Sequence, residues 1–172
     1  MWLNNNIGDI LVMATQGTES LLDLGCGKGG SSLIQCPVKV GIDGFKGYEK
    51  DYVSQTGGIF VHNNIKYVRQ YTADKSYDTV ILWDVIEHLE KQDGIKLLAD
   101  IEMIARKQIV VFTPNGMMEQ NEDPWGDNNE MQIHKSGWLP EEFIKRFYNV
   151  IVFKNYIRLS NQDAIFAHKR VG

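Results

Sequence analysis

Residues 19–30 read ESLLDLGCGKGG. An apolar run from Leu21 to Leu24 ends in a turn made almost wholly of backbone: Gly25, Gly27, Gly29 and Gly30. SSLI follows and suits a short helix. Glycine lets the chain take positive φ and lets a ligand approach with no Cβ in the way. A tight strand-to-helix turn is the plainest reading. Gly25, Gly27 and Gly30 also satisfy the dinucleotide pattern G-x-G-x-x-G. A pyrophosphate, however, wants helix N-terminal amides and no anion beside them. Here Asp23 stands two residues before the first glycine. A carboxylate there disfavours a diphosphate and favours a cofactor that carries an ammonium and a sulfonium. Asp43 ends the next apolar run in VGIDG. An acid at that place accepts hydrogen bonds from ribose hydroxyls, which both cofactor types carry.

Outward from this turn the chain alternates. Residues 21–24, 38–43, 58–62, 78–83, 108–113, 149–157 and 164–169 read as strands. Several are continuous β-branched runs, as expected of parallel strands covered on both faces. Residues 4–15, within an N-terminal helical region of 1–18, place Ile7, Ile10, Leu11 and Ala14 at helical spacing. Residues 91–106 place Ile95, Leu98, Ile101 and Ile104 on one stripe. Pro140, Glu141 and Glu142 suit the first turn of a helix through Phe147. Strands alternating with helices predict a doubly wound α/β sheet. The last two strands, joined by LSNQD, predict an antiparallel pair at one edge. Ligands of such sheets bind beyond the carboxyl ends of the strands, and every motif here falls at such an end.

The chain of 172 residues suits one domain, 1–172, and 43% apolar residues are enough for a core. No run approaches the ~18 consecutive apolar residues of a membrane span, so no membrane partner is expected. MWLNNNIGD is no secretory leader, and Cys26 and Cys36, the two cysteines, lack a metal-knuckle spacing. A cytoplasmic protein is expected.

DLGCGKGG, with GIDG about twenty residues on, resembles the first two motifs of class I S-adenosylmethionine-dependent methyltransferases. Asp23 to Gly29 match D/E-x-G-x-G-x-G throughout. The likeness extends to YDTVILWDVIEHL and QIVVFTPNG, and so over residues 8–169. It implies a Rossmann-like, mostly parallel seven-stranded sheet with a C-terminal antiparallel hairpin, in three layers. It also implies S-adenosylmethionine as cofactor. By the resemblance, Asp23, Gly25, Cys26, Gly27 and Gly29 hold its methionine part, Cys26 itself being a small packed residue. Asp43 binds the ribose, and Gly44 and Phe45 border the adenine. Asn63 or Asn64 replaces the acid that many relatives place by the adenine amine; an amide oxygen can still accept. Trp83 and Asp84 close the donor side.

Asp84, Glu87 and His88 form D-x-x-E-H. If a helix begins near Asp84, the three share one face. One reading makes Asp84 a helix cap, with Glu87 and His88 orienting loops. A second makes His88 a general base, since imidazole titrates near neutrality. A third joins Asp84, Glu87, His88 and His134 as ligands of a divalent metal. This resembles the small-RNA 2′-O-methyltransferases, where E-x-x-E-H and a later histidine hold magnesium; mixed carboxylate and imidazole ligands suit Mn²⁺ or Fe²⁺ as well. Methyl transfer itself asks little of a protein. The sulfonium is already activated, and the enzyme must place a nucleophile in line at about 3–3.5 Å and exclude water.

Residues 114–138 form a long stretch without regular structure, the kind that serves as a lid or binding segment. Trp125 in it is a candidate wall for the acceptor, beside His134. Glu119, Glu122, Asp123, Asp127 and Glu130 crowd residues 117–130 with no Lys or Arg. Such a segment repels phosphate and disfavours nucleic acid as acceptor, although residues 131–172 carry seven Lys/Arg against three Asp/Glu. No N/D-P-P-Y/F follows the fourth strand, which argues against methylation of a flipped base. Three functions compete: methyl transfer to oxygen or nitrogen of a small molecule, with a metal-assisted RNA 2′-O-methyltransferase as its variant; a non-catalytic cofactor-binding or regulatory subunit; and a nicotinamide-dependent oxidoreductase, disfavoured by Asp23. With no inserted cap domain, a second copy in a homodimer could complete the acceptor pocket.

Overall fold

The computed structural model describes residues 7–157 and 161–171. Residues 4–6 of the expected first helix, and part of the LSNQD turn, lie outside them. The described chain runs α1 (Ile7–Ala14), β1 (Ser20–Leu24), β2 (Val38–Asp43), α2 (Glu49–Thr56), β3 (Ile59–His62), β4 (Tyr77–Trp83), α3 (Lys91–Ile104), β5 (Ala105–Pro114), α4 (Pro140–Ile144), β6 (Asn149–Ile157) and β7 (Gln162–Arg170). The seven strands form one sheet in the order β3-β2-β1-β4-β5-β7-β6. The first five are parallel; β7 runs antiparallel to β5, and β6 to β7. The predicted α/β sheet with its C-terminal hairpin is the one found.

Alternation along the central strands feeds two cores. Leu22, Leu24, Val80, Leu82, Ile109 and Val111 face one side, where α3, α4 and Trp138 cover them. Leu21, Ile81, Val110, Phe112 and Phe166 face the other, beneath Ile7 and Leu11 of α1. Both faces of β1, β4 and β5 are therefore dry, which is why their sequences read as unbroken apolar runs.

Three helical expectations are corrected. The stripe of α3 is buried as expected at Leu98, Ile101 and Ile104, but Gly94 and Leu97 complete it, and Ile95, 37% exposed, lies off it. The helix after Pro140 stops at Ile144, and Phe147 takes a positive φ of 64° with its ring in solvent. SSLI forms a single 3-10 turn over Gly30–Leu33. Gly94 has a packing reason to sit inside a helix: a Cβ there would stand 2.5 Å from Trp138 Cζ2. No helix among the described residues is long and apolar enough to cross a membrane.

Candidate active site

The site forms at the carboxyl ends of β1, β2 and β4, where the glycine turn leaves the sheet. Gly25 and Gly27 take φ of 67° and 50°, which a side chain would resist. Gly25 also has no room for one: a Cβ would lie 2.7 Å from both methyls of Val85. Asp43, at the end of β2, ties the turn down. Its Oδ2 accepts from the Gly27 amide at 3.0 Å and its Oδ1 from the Phe45 amide at 2.8 Å. Burial pushes its carboxyl up, and the two amides pull it down. Each oxygen keeps a second lone pair, so a ribose hydroxyl can still be received.

Asp23 lies beneath the turn rather than at its mouth. It is buried, and its carboxylate accepts the Ser31 hydroxyl. Burial pushes its pKa up to about 7, against the pull of Ser31. The acid that reaches the ligand side is Asp43. Asp23 instead locks the turn to the 3-10 helix that follows. Cys26 is packed inward, where a Cβ on Gly41 would strike its sulfur and the Tyr52 ring.

A cavity of about 230 Å³ opens beside the turn, bordered by Gly25, Asp43, Gly44 and Asn64 on one side and by Asp84 and His88 on another. Asn64 also caps the turn after β3, its Oδ1 accepting from the Lys66 amide. Asn63 is turned aside, with its side-chain oxygen on the Asn64 amide. Phe45 borders a neighbouring shallow recess and meets Tyr48 edge-on at 4.8 Å. Trp83 points to the opposite face of the sheet, stacked on Phe112 at 4.6 Å.

No helix begins at Asp84. Its φ is +52°, and its amide bonds the Phe112 carbonyl at 2.9 Å. A 3-10 turn, Ile86–His88, follows. Few residues other than glycine sit in the left-handed region, aspartate among the more tolerant, and such positions collect at functional sites. Asp84 is exposed toward the cavity. Crowding by the surrounding protein pushes its carboxyl up, and the open surface moderates that rise. Glu87 is buried; its Oε2 accepts from Thr113 Oγ1 at 2.9 Å, and its Oε1 has no partner among the described residues. Burial, then the neighbouring Asp84, pushes its pKa up.

His134 arrives from the far end of the 114–138 stretch and meets His88 edge-on, ring centres 4.7 Å apart. Each Nδ1 faces a carbonyl, Ile133 at 3.3 Å for His88 and Met118 at 2.8 Å for His134. A carbonyl only accepts, so each Nδ1 carries the proton and each neutral ring keeps its lone pair on Nε2. Burial first, then His134, lowers the His88 pKa to about 4; the ring is neutral at pH 7. Glu87, His88 and His134 each bring a ligand atom within 4.8 Å of the others. Asp84, the fourth residue of the predicted set, is not in that group.

The long stretch also turns back over the glycine turn. Trp125, expected in the acceptor wall, lies over Gly27, with Cη2 3.1 Å from where a Cβ would be. Two features were missed in the sequence. Thr113, which holds Glu87, comes from the adjacent strand end, and the side-by-side order of β4 and β5 could have found it. Asn129 and Met131, which border the cavity, carry no local signal in a stretch without periodicity.

No family model matches this sequence, and no curated protein does. Solved structures match its fold at low identity. A SAM-dependent methyltransferase from Methanosarcina mazei superposes with a TM-score of 0.69 over 94% of this chain and 96% of its own, at 13% identity. Magnesium protoporphyrin IX methyltransferase from Synechocystis, solved with S-adenosylmethionine bound, gives 0.66 over 96% and 76%, at 12%. The methyltransferase domain of bacterial CtHen1-C gives 0.64 over 96% of both chains, at 18%. The chain thus has the class I methyltransferase fold.

Proposed function

We propose that this protein transfers the methyl group of S-adenosylmethionine to an oxygen or nitrogen of a small-molecule acceptor. The observation that carries the reading is one cavity bordered by two kinds of residue. Gly25, Asp43 and Gly44 are those where the resemblance seats the donor, and Asp84 and His88 border the same space. His88, neutral at pH 7, can take the proton that a hydroxyl or neutral amine sheds as its lone pair receives the methyl. Asp84, open to the cavity, can orient the acceptor.

Thermal unfolding with S-adenosylmethionine, S-adenosylhomocysteine and NAD tests the donor, because a ligand of the native state alone raises the midpoint. A shift with NAD and with neither methionine compound would overturn the proposal. A methyl-transfer screen over amines, phenols, sugars and short RNA then identifies the acceptor; donor binding with no transfer to any class would favour the non-catalytic reading.

A metal-assisted variant has an observation of its own. The unpartnered Glu87 Oε1 and two imidazoles whose Nδ1 protons are already committed to carbonyls fit a divalent cation, since metal-bound histidines commonly donate their second nitrogen this way. Glu87, His88 and His134 would hold it, and it would supply Lewis acidity toward an acceptor hydroxyl. The acids of residues 117–130 weigh against RNA as that acceptor.

A further inference from the structure

The stretch between β5 and α4 was expected to serve the acceptor. Its far end brings His134 to His88, but its middle rests on the glycine turn and on Gly44. Trp125 lies against Gly27, as above, and meets Tyr48 edge-on at 5.1 Å. Lys28, in the glycine turn itself, pairs with Asp127 at 2.8 Å and stands over the Trp125 ring at 5.3 Å. Asn129 Nδ2 donates to the Tyr48 hydroxyl at 2.9 Å. Met131 sits on Gly44, its sulfur 2.7 Å from where a Cβ would be. Asp123 braces the arrangement, its carboxylate accepting from the amides of Trp125, Asp127 and Asn129. Two glycines of the predicted donor site are thus each covered by one large side chain from the same strap.

From this juxtaposition we infer that residues 120–135 are part of the donor site: Trp125 covers the amino-acid end of the cofactor, over Gly27, and Met131 covers its nucleoside end, over Gly44. The inference rests on the donor reading above. The cavity supports it. Asn129 and Met131 of the strap border the same cavity as Gly25, Asp43 and Gly44, and Met131 also borders the adjoining recess beside Phe45. Trp125 and Met131 are 47% and 52% exposed, so they can move without opening the core. Specificity for the donor's two ends is then written in a segment that follows the fifth strand, far in sequence from the glycine turn.

Isothermal titration separates the two ends. S-adenosylhomocysteine carries both; 5′-methylthioadenosine lacks the amino-acid arm. Trp125→Ala is expected to weaken S-adenosylhomocysteine about tenfold or more, with methylthioadenosine unchanged, and Met131→Ala to weaken both. Trp125→Phe should restore most of the loss. A melting midpoint unchanged without ligand shows that the variants fold. If the wild-type protein binds S-adenosylhomocysteine and Trp125→Ala binds it as well, the inference fails while the donor reading stands. Equal loss of both ligands in Trp125→Ala also overturns the assignment of ends. If the wild type binds neither compound, it is the donor reading that fails.

Discussion

Asp23→Asn is the substitution whose effect the structure sets most sharply. Asp23 is 1% exposed, and burial raises its pKa from the ordinary 3.8 to about 7. The folded state therefore holds a proton that the unfolded chain gives up. Stability is full below pH 3.8, declines as pH rises toward 7, and is level above. Converted at ~1.4 kcal/mol for each tenfold in proton affinity, the decline from this one group is about 4 kcal/mol. Asparagine keeps the shape and can accept the Ser31 hydroxyl, but never ionises. The variant should match the wild type near pH 4 and exceed it by a few kcal/mol at pH 8. Urea unfolding at several pH values reads this directly. Other raised acids, Glu87 among them, remain in both proteins and cancel in the difference. A gap between variant and wild type that stays constant from pH 4 to 8 would show that Asp23 is ionised throughout, and that the Ser31 hydrogen bond and the charge of nearby Lys39 outweigh burial.

Gly94→Ala should destabilise the protein. Alanine offers a helix up to about 1 kcal/mol over glycine, but its methyl would strike Trp138, whose indole is held by the Ile86 carbonyl at 3.2 Å. Overpacking of about 1–3 kcal/mol wins, and a lowered denaturation midpoint checks it; a raised one would show that the indole yields. Asp43→Ala should abolish binding of S-adenosylhomocysteine in titration, since the carboxylate both offers the ribose acceptor and pins Gly27; retained affinity would remove it from the ribose. Mn²⁺ should raise the melting midpoint of the wild type and not of His134→Ala, and equal shifts in the two would dismiss the metal variant.

The sheet could be read in the sequence because its strands are buried on both faces, so composition alone marks them. The hairpin could be read because its two runs nearly touch. The stripe of α3 could be read at Leu98, Ile101 and Ile104 but not at its start, because Gly94 has no apolar side chain and only Trp138, 44 positions on, shows that this face is covered. At the site, spacing found the glycine turn, Asp43 and the Glu87–His88 pair. It could not show that Asp23 is sealed beneath the turn while Asp43 borders the cavity, since that depends on what packs over each strand end: the 3-10 turn brings Ser31 onto Asp23, and Asp43 receives the Gly27 and Phe45 amides. Nor could it foresee the fate of Asp84, where helical spacing was assumed and a single positive φ breaks it. His134, 46 residues from His88, is joined to it in the sequence only through the family resemblance, because spacing carries no signal across that stretch; the structure does bring the two together.

The main-chain oxygen of Glu87 receives the amides of both Lys135 and Ser136, at 2.8 and 3.0 Å. The peptide that carries the buried acid is thus also the mooring where the strap comes back to the body of the protein. Lengthening or shortening between Met118 and Ile133 leaves that mooring alone, so it would alter what rests on Gly27 and Gly44 without moving the buried acid. A change at 135 or 136 has no such freedom, because it tugs on the acid itself.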